Sequence, residues 1–298
     1  AGRQLAVLQI AVLVVALCGI AYELVIATVS SYLLGDSVYQ FSLTIGLFMS
    51  AYGLGSFVST RLKRDLLWWF VLTELLVGLV GGLSSLLLFE LYASTELFGL
   101  GRLLVIMCLG TLVGLEIPLL IRLTEARRQD LRLTVGQMMG FDYLGALLGG
   151  VGFPLLLLPV WGLLGASFLV GLFNTVIGGI VLIAFWSQIR HRRLLAGLTL
   201  AFGAILAVAA VNTRSLERAV ERELYEDPVV YLEQSAYQKI VLTRKGADLR
   251  LYLDGSLQFS SVDEHRYHEV LVHPAALRVD RLESVLVLGG GDGLALRE

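Results

Sequence analysis

The residues best suited to chemistry lie near the carboxyl end of the chain, where an apolar run meets glycines and one acid. Residues 283–288 predict a buried strand, and Gly289, Gly291 and Gly293 follow it in a G-x-G-x-G turn that contains Asp292. A strand, a glycine-rich turn and a helix start form the nucleotide-binding opening of a doubly wound sheet, because glycines let the ligand approach the backbone. The dinucleotide fingerprint has the different spacing G-x-G-x-x-G. The turn therefore predicts a nucleoside site with an acid inside it.

Three further motifs precede this turn in a fixed order. They are Tyr237-Gln238, then Leu253-Asp254-Gly255-Ser256-Leu257-Gln258, then Tyr267-His268-Glu269. Together with the glycine turn they resemble the start of a spermidine synthase, a polyamine aminopropyltransferase. The resemblance covers about residues 231–298. It implies a substrate-binding set that consists of Gln238, Leu253, Gln258, Tyr267, His268, Gly289, Gly291, Asp292 and Gly293.

The resemblance also implies a reaction and its participants. Gln238, Leu253 and Gln258 would line the pocket for decarboxylated S-adenosylmethionine, the co-substrate, and Asp292 would take its aminopropyl ammonium group. Tyr267 and His268 would face the diamine as the catalytic pair. The family's proton-accepting aspartate lies beyond the glycine turn, and the chain ends at Glu298 before such a residue. We therefore expect a truncated synthase domain that is inactive as given. No metal or redox cofactor is expected.

Other functions remain open beside this one. A methyltransferase is disfavoured because many carry an acid two residues before the first glycine, where this chain has Val287. A zinc site at His265, His268 and His273 is disfavoured because the spacing matches no common zinc pattern. The main alternative is a membrane transporter or sensor whose synthase-like domain binds polyamines or nucleosides without catalysis. The net charge of −2 argues against a nucleic-acid partner.

Composition separates this region from the rest of the chain. The sequence is 56% hydrophobic and 16% charged, against about 25% charged in typical soluble domains. Residues 1–212 contain 12 of the 23 Lys/Arg and 10 of the 25 Asp/Glu, so the last 86 residues carry more than half of the charges. We predict a transmembrane helical domain at 1–212, a linker and β-hairpin region at 213–280, and the start of a Rossmann-like domain at 281–298.

The apolar region predicts about seven spans, since a spanning helix needs roughly 20 mostly apolar residues. Lys and Arg cluster after the second, fourth and sixth spans, and the opposite loops hold only Arg102. The positive-inside rule then predicts a cell (inner) membrane protein with a cytoplasmic amino terminus and the lipid bilayer as a partner. The side of the synthase-like domain and homo-oligomerisation stay open. The predicted spans are 5–29, 38–60, 67–89, 99–122, 134–158, 163–189 and 194–212.

Acids inside the predicted spans point to a second site. Glu74, Glu116 and Asp142 fall at one depth in three spans, and Glu23 lies in the first. An ionisable group at membrane depth is costly and usually faces a cavity or a partner. The two interpretations are a cation site, conceivably for a polyamine, and three acids that are protonated or hydrogen-bonded to neighbouring helices.

The fold class predicted from these patterns is a multi-pass α-helical membrane bundle followed by a small antiparallel sheet and a truncated Rossmann-like opening. Period-two alternation after Val229 predicts the strands, and Asp254-Gly255 predicts a type I′ hairpin turn. Asp263 is expected to cap a helix that runs through about Leu271 and ends near Pro274.

Overall fold

The chain divides into two compact units in a computed structural model that describes residues 2–128, 130–235 and 238–298. The helical unit comprises Ala1–Glu223 and the sheet unit comprises Leu224–Glu298. The helix Thr213–Leu224, which lies in the predicted linker, falls almost wholly within the helical unit. The three predicted domain ranges stay predictions.

The helical unit consists of long apolar helices joined by short loops. Six of its described helices are long and apolar enough to cross a membrane by length and composition alone. A continuous helical run from Leu131 to Ala184, 54 residues long, is one of these six. The elements are α1 Gly2–Leu34, α2 Ser37–Ser59, α3 Leu66–Ser94, α4 Phe98–Arg128, α5 Leu131–Gly152, a π-helical turn Phe153–Leu157, α6 Leu158–Ala184, α7 Arg192–Val211 and α8 Thr213–Leu224.

The 54-residue run explains why seven predicted spans correspond to six helices. Gly162, with φ 65°, kinks the run. Before the kink α5 runs parallel to α1, with Gly145 against Leu13 and Gly149 against Leu17. After it α6 runs antiparallel to α1, as the Gln4 side-chain contact with the Ala184 carbonyl at 3.2 Å and that of Cys18 with Val170 show. The 54-residue run therefore contains two antiparallel helical segments, α5 and α6.

Glycines allow the closest helix contacts in this unit. A Cβ at Gly145 would overlap the backbone carbonyl of Leu13, and a Cβ at Gly114 would overlap that of Tyr52. These positions lie between α5 and α1 and between α4 and α2. Small residues let helix backbones approach closely. Such packing matters in a membrane because lipid tails are apolar, so no hydrophobic driving force brings the helices together.

The sheet unit opens with a four-stranded antiparallel meander. Its strands are β1 Val229–Gln234, β2 Lys239–Lys245, β3 Asp248–Leu253 and β4 Ser256–Ser260, hydrogen-bonded in chain order. Asp254 (φ 47°) and Gly255 (φ 78°) both have positive φ between β3 and β4, which confirms the predicted hairpin turn. The Asp254 carboxylate also accepts a 2.8 Å hydrogen bond from the Lys239 backbone N–H, which ties the turn to β2.

Helix α9, Glu264–Ala276, follows the sheet and is longer than predicted. It continues through Pro274 instead of ending before it. Asp263 stands at the N-cap position, but its side chain makes no capping bond and pairs instead with Arg266 at 3.2 Å. The chain closes with the short helix α10, Leu294–Arg297.

The Rossmann-like part of the predicted fold class is wrong. Residues 281–288 form no strand within the described segment 238–298, and Leu286 and Leu288 are 82% and 87% exposed. A buried parallel strand needs neighbouring strands to pair its backbone and helices to cover its faces. The described residues offer this segment neither, so an apolar sequence stays outside the sheet. The chain is mostly helical with one small four-stranded sheet.

Candidate functional site

His268 is the predicted site residue with the most defined surroundings. It lies on α9, is 5% exposed, and its Nδ1 is 2.8 Å from the Glu264 backbone oxygen and 2.9 Å from Glu264 Oε2. A backbone carbonyl only accepts hydrogen bonds, so Nδ1 must carry the hydrogen. In the neutral ring Nε2 is then the free acceptor. Tyr267, 67% exposed, meets the His268 ring edge-on at 5.1 Å.

Glu264 is held in turn by Arg297. The guanidinium of Arg297 donates to both carboxylate oxygens of Glu264, at 2.7 and 3.1 Å. Donation by Arg297, with a smaller contribution from His268, lowers the pKa of the Glu264 carboxyl below its ordinary value. Glu264 therefore stays a carboxylate and an acceptor for His268. The same pair joins α10 to α9, so the helix after the glycine turn is anchored beside His268.

The glycine turn contains three backbone conformations that favour glycine. Gly289, Gly290 and Gly293 have φ of 91°, 63° and 74°, in the left-handed region where a Cβ is disfavoured. The Gly293 N–H donates to the Gly290 carbonyl at 3.0 Å and closes the turn. Asp292 Oδ1 accepts from the Leu294 N–H at 2.9 Å, at the start of α10. Its other oxygen makes no hydrogen bond to a described residue.

The remaining predicted residues lie on or beside the sheet. Leu253 pairs with Ile240 of β2 and with Ser256 of β4. The Gln258 amide donates to the Ser256 carbonyl at 3.1 Å and is exposed. The Gln238 backbone N–H donates to Ser235 Oγ at 2.9 Å, and the Gln238 carbonyl accepts from the Ser235 N–H at 3.0 Å. Tyr237 lies outside the described residues.

The structure thus assembles part of the predicted set. Helix α9 and the glycine turn come together through Glu264 and Arg297. In the described part of the chain, no hydrogen bond links Gln258 or Asp292 to His268. Sequence reasoning missed both members of the ion pair. Glu264 could have been found from its i,i+4 spacing to His268, whereas Arg297, 33 residues further on, gives no local signal.

The predicted acids of the helical unit differ in how deeply they are buried. Glu74 on α3 and Glu116 on α4 are fully buried and close enough to interact electrostatically. Asp142 on α5 is only partly buried, and it reaches the Tyr52 hydroxyl electrostatically, as Glu23 and Glu116 also do. Glu74 and Glu116 therefore form the centre of the cluster and Asp142 lies at its margin.

Comparisons with known proteins agree with the motifs. Residues 264–298 match the family model of the spermine/spermidine synthase domain. The chain is 43% identical to a polyamine aminopropyltransferase of Oceanobacillus iheyensis over 96% of its own length and 56% of that protein. It is 46% identical to polyamine aminopropyltransferase 2 of Ralstonia nicotianae over 99% of the chain and 59% of the relative. The chain is thus similar, along nearly its whole length, to proteins named polyamine aminopropyltransferases.

The extent of these matches bears on two expectations. They run through the helical unit and the sheet unit alike, over 96–99% of this chain, so the expectation that the resemblance covers only about residues 231–298 is wrong. The expectation that the chain is inactive finds no support in them. The chain spans 56–59% of the length of these aminopropyltransferase relatives. No solved structure matches the chain.

Proposed function

We propose that the protein transfers an aminopropyl group from decarboxylated S-adenosylmethionine to a diamine such as putrescine, giving spermidine and methylthioadenosine. The observation that carries the proposal is that the synthase-domain match, residues 264–298, contains both the His268–Glu264–Arg297 arrangement and the Asp292 turn. Relatives named polyamine aminopropyltransferases, similar along nearly the whole chain, support it.

The chemistry asks for positioning more than for activation. A neutral amine nitrogen attacks the methylene beside the sulfonium, a C–N bond forms, and the C–S bond breaks with its electron pair passing to sulfur. The positive sulfur already activates the carbon, so the reaction needs no metal or redox cofactor. The protein must align two cationic substrates and remove one proton from the attacking amine, and alignment alone is worth about 7–11 kcal/mol in favourable intramolecular cases.

His268 and Asp292 fit these tasks. With the Nδ1 hydrogen directed at Glu264, the neutral form of the His268 ring offers Nε2 as an acceptor that can orient an amine N–H. Asp292 has one oxygen on the Leu294 N–H, so its charge is fixed in the turn while the second oxygen can receive an ammonium group. Gln238, Leu253 and Gln258 would bind the nucleoside, and the exposed Tyr267 would contact the diamine.

The membrane assignment is part of the same proposal. We infer that the helical unit lies in the cell (inner) membrane with its basic loops in the cytoplasm. Arg122 donates to the Leu62 carbonyl at 2.7 Å, and Arg127 donates to Gln188 at 3.0 Å. These bonds bring the basic segments after α2, α4 and α6 to one end of the unit. Arg102, bonded to Gln40, lies at the opposite end. This asymmetry supports a positive-inside orientation.

Product analysis tests the catalytic proposal. The purified protein in detergent is incubated with decarboxylated S-adenosylmethionine and putrescine, and methylthioadenosine is followed by chromatography. We expect release that requires both substrates. Binding of the nucleoside without release in the presence of diamine would contradict transfer and favour a non-catalytic polyamine sensor or transporter.

A further inference from the structure

Two carboxyl groups at the centre of the helical unit have no part in the proposed transfer. Glu74 on α3 and Glu116 on α4 are both fully buried. Glu74 Oε1 and both carboxylate oxygens of Glu116 have no hydrogen-bond partner, whereas buried polar atoms in folded proteins are almost always paired. Three unpartnered acid oxygens in an apolar interior call for neutralisation by a proton or by another cation, since an isolated buried carboxylate is strongly disfavoured.

A hydrogen-bonded chain fixes the orientation of one of the two acids. The Tyr22 hydroxyl donates to Asn174 Oδ1 at 3.2 Å, and Asn174 Nδ2 donates to Glu74 Oε2 at 2.8 Å. With Oε2 engaged as an acceptor, Oε1 is the oxygen of Glu74 that remains for a ligand. Tyr22, on α1, and Asn174, on α6, are themselves fully buried, so solvent does not compete for these bonds.

Basic side chains do not neutralise the pair in the described part of the chain. The titratable groups that reach Glu74 and Glu116 electrostatically are Cys18 and Tyr22 from α1 and Tyr52 from α2. None of them carries a positive charge in any protonation state. From α6, Asn174 bonds to Glu74, and its side chain is uncharged. The neutralising cation must therefore come from outside the chain.

Packing around Glu74 limits the size of that cation. A Cβ at Gly178 would come within 3.1 Å of Glu74 Cβ, and one at Gly78 within 2.8 Å of the Gly171 carbonyl. Helix α6 therefore packs closely against the Glu74 side chain at Gly178 and against the α3 backbone at Gly78, one turn further along α3. A polyamine, whose methylene chain needs an open channel, does not fit this contact, whereas a proton needs no cavity at all.

We propose that Glu74 and Glu116 form a proton-binding carboxyl pair, with Glu74 Oε1 carrying a proton that exchanges with solvent and neutralises the shared site. The two carboxyl groups interact electrostatically in an apolar interior, so ionising both is costly. Asn174 acts as a positioning residue that holds Oε2 of Glu74 and leaves Oε1 unengaged. The site is separate from the aminopropyl chemistry and does not depend on it.

Infrared difference spectroscopy tests the pair directly. Protonated carboxyl groups have a carbonyl stretching band at a frequency separate from the bands of ionised carboxylates. This band shifts in heavy water. We expect the full chain in detergent to show this band at a pH where exposed carboxyl groups are already ionised, to lose it as pH rises further, and to shift it in heavy water. Glu74→Gln and Glu116→Gln should each remove part of the band. Glu90→Gln, an exposed acid on the same α3 helix, should leave it unchanged.

Two further measurements keep the proposal falsifiable if a variant misfolds. Asn174→Leu should displace the frequency of the wild-type band without abolishing it, because it removes one hydrogen bond and no acid. Sodium chloride or putrescine, added at constant pH to the wild-type protein, should leave the band intact. Loss of the band on adding either cation would overturn the proton assignment in favour of a metal ion or amine. A band that is absent at every pH, or that is unaffected in both glutamine variants, would overturn the site itself.

Discussion

The ring orientation of His268 shows how single residues prepare this chemistry. Two oxygen atoms of Glu264 face Nδ1, and one is a carbonyl that can only accept, so the tautomer follows from geometry. Arg297 keeps Glu264 charged, which strengthens the same hydrogen bond. The motif in the sequence identifies His268, but not the neighbours that decide which nitrogen it offers to a substrate.

Asp292→Asn isolates the charge of the turn acid from its structural role. The asparagine side-chain oxygen can still accept from the Leu294 N–H, so α10 should be retained, while the attraction for the aminopropyl ammonium is lost. A hydrogen bond to a charged group is worth about 1.5–3 kcal/mol, so kcat/KM for the sulfonium substrate should fall roughly 10- to 100-fold. Asp280→Asn, an exposed acid outside the turn, is the matched control. Equal activity in the two variants would refute the role of Asp292.

Glu264→Gln should weaken the junction of α9 and α10 in a pH-dependent way. Arg297 and His268 lower the pKa of Glu264, so its stabilising contribution is full above the ordinary carboxyl pKa and is lost as pH falls through the lowered value. The ratio of the amide exchange rate in α9 of the variant to that of the wild type should exceed one near neutral pH and approach one in acid. Asp263→Asn, which removes only an exposed pair with Arg266, should have little effect at either pH. A ratio that is the same at all pH values would contradict this assignment.

Individual elements differ in how far local sequence determines them. The Asp254-Gly255 turn was predictable because positive φ at two successive residues is a local requirement. The strand predicted at 283–288 was wrong because its formation depends on neighbouring strands, which a local apolar pattern cannot supply. The extension of α9 past Pro274 shows that a breaker residue lowers helix propensity without fixing the boundary.

Helix packing in the α1–α5 contact gives a matched pair of tests. Gly145→Ala would place a Cβ on the Leu13 carbonyl, and relieving that overlap should cost about 1–3 kcal/mol. Gly140→Ala lies in the same helix with open space around it and should stabilise α5 by roughly 0.5–1 kcal/mol. Thermal unfolding of both variants in detergent should therefore give midpoint shifts of opposite sign. A stabilising Gly145→Ala would show that the two helices are not in backbone contact.

At the scale of the whole molecule, the charge distribution along the chain indicated two regions, and the structure has two compact units. The positions of Glu74 and Glu116 within their predicted spans indicated that both acids lie at one depth in the membrane. The hydrogen-bond partner of Glu74, however, is Asn174 on α6, 100 residues away along the chain, and Asn174 in turn accepts from Tyr22 on α1. Such contacts depend on the packing of several helices and give no local signal in the sequence.

We predict that the loops rich in Lys and Arg face the cytoplasm. In a Cys108→Ser background, where the remaining Cys18 is buried, Arg64→Cys in the α2–α3 loop should react with an impermeant thiol reagent only after the inner membrane is opened. Thr95→Cys, at the opposite end of α3, should react from the periplasmic side in intact cells. The reverse pattern would contradict the positive-inside orientation. Recovery of the protein in the soluble fraction would contradict the membrane assignment altogether.

The central claim is aminopropyl transfer, and the stoichiometry of its two products tests it most directly. The purified protein is given decarboxylated S-adenosylmethionine and isotopically labelled putrescine, and methylthioadenosine and labelled spermidine are measured in the same sample. The account predicts that the two appear in equal amounts and that both fall together in Asp292→Asn. Methylthioadenosine without labelled spermidine, or neither product despite substrate binding, would contradict it.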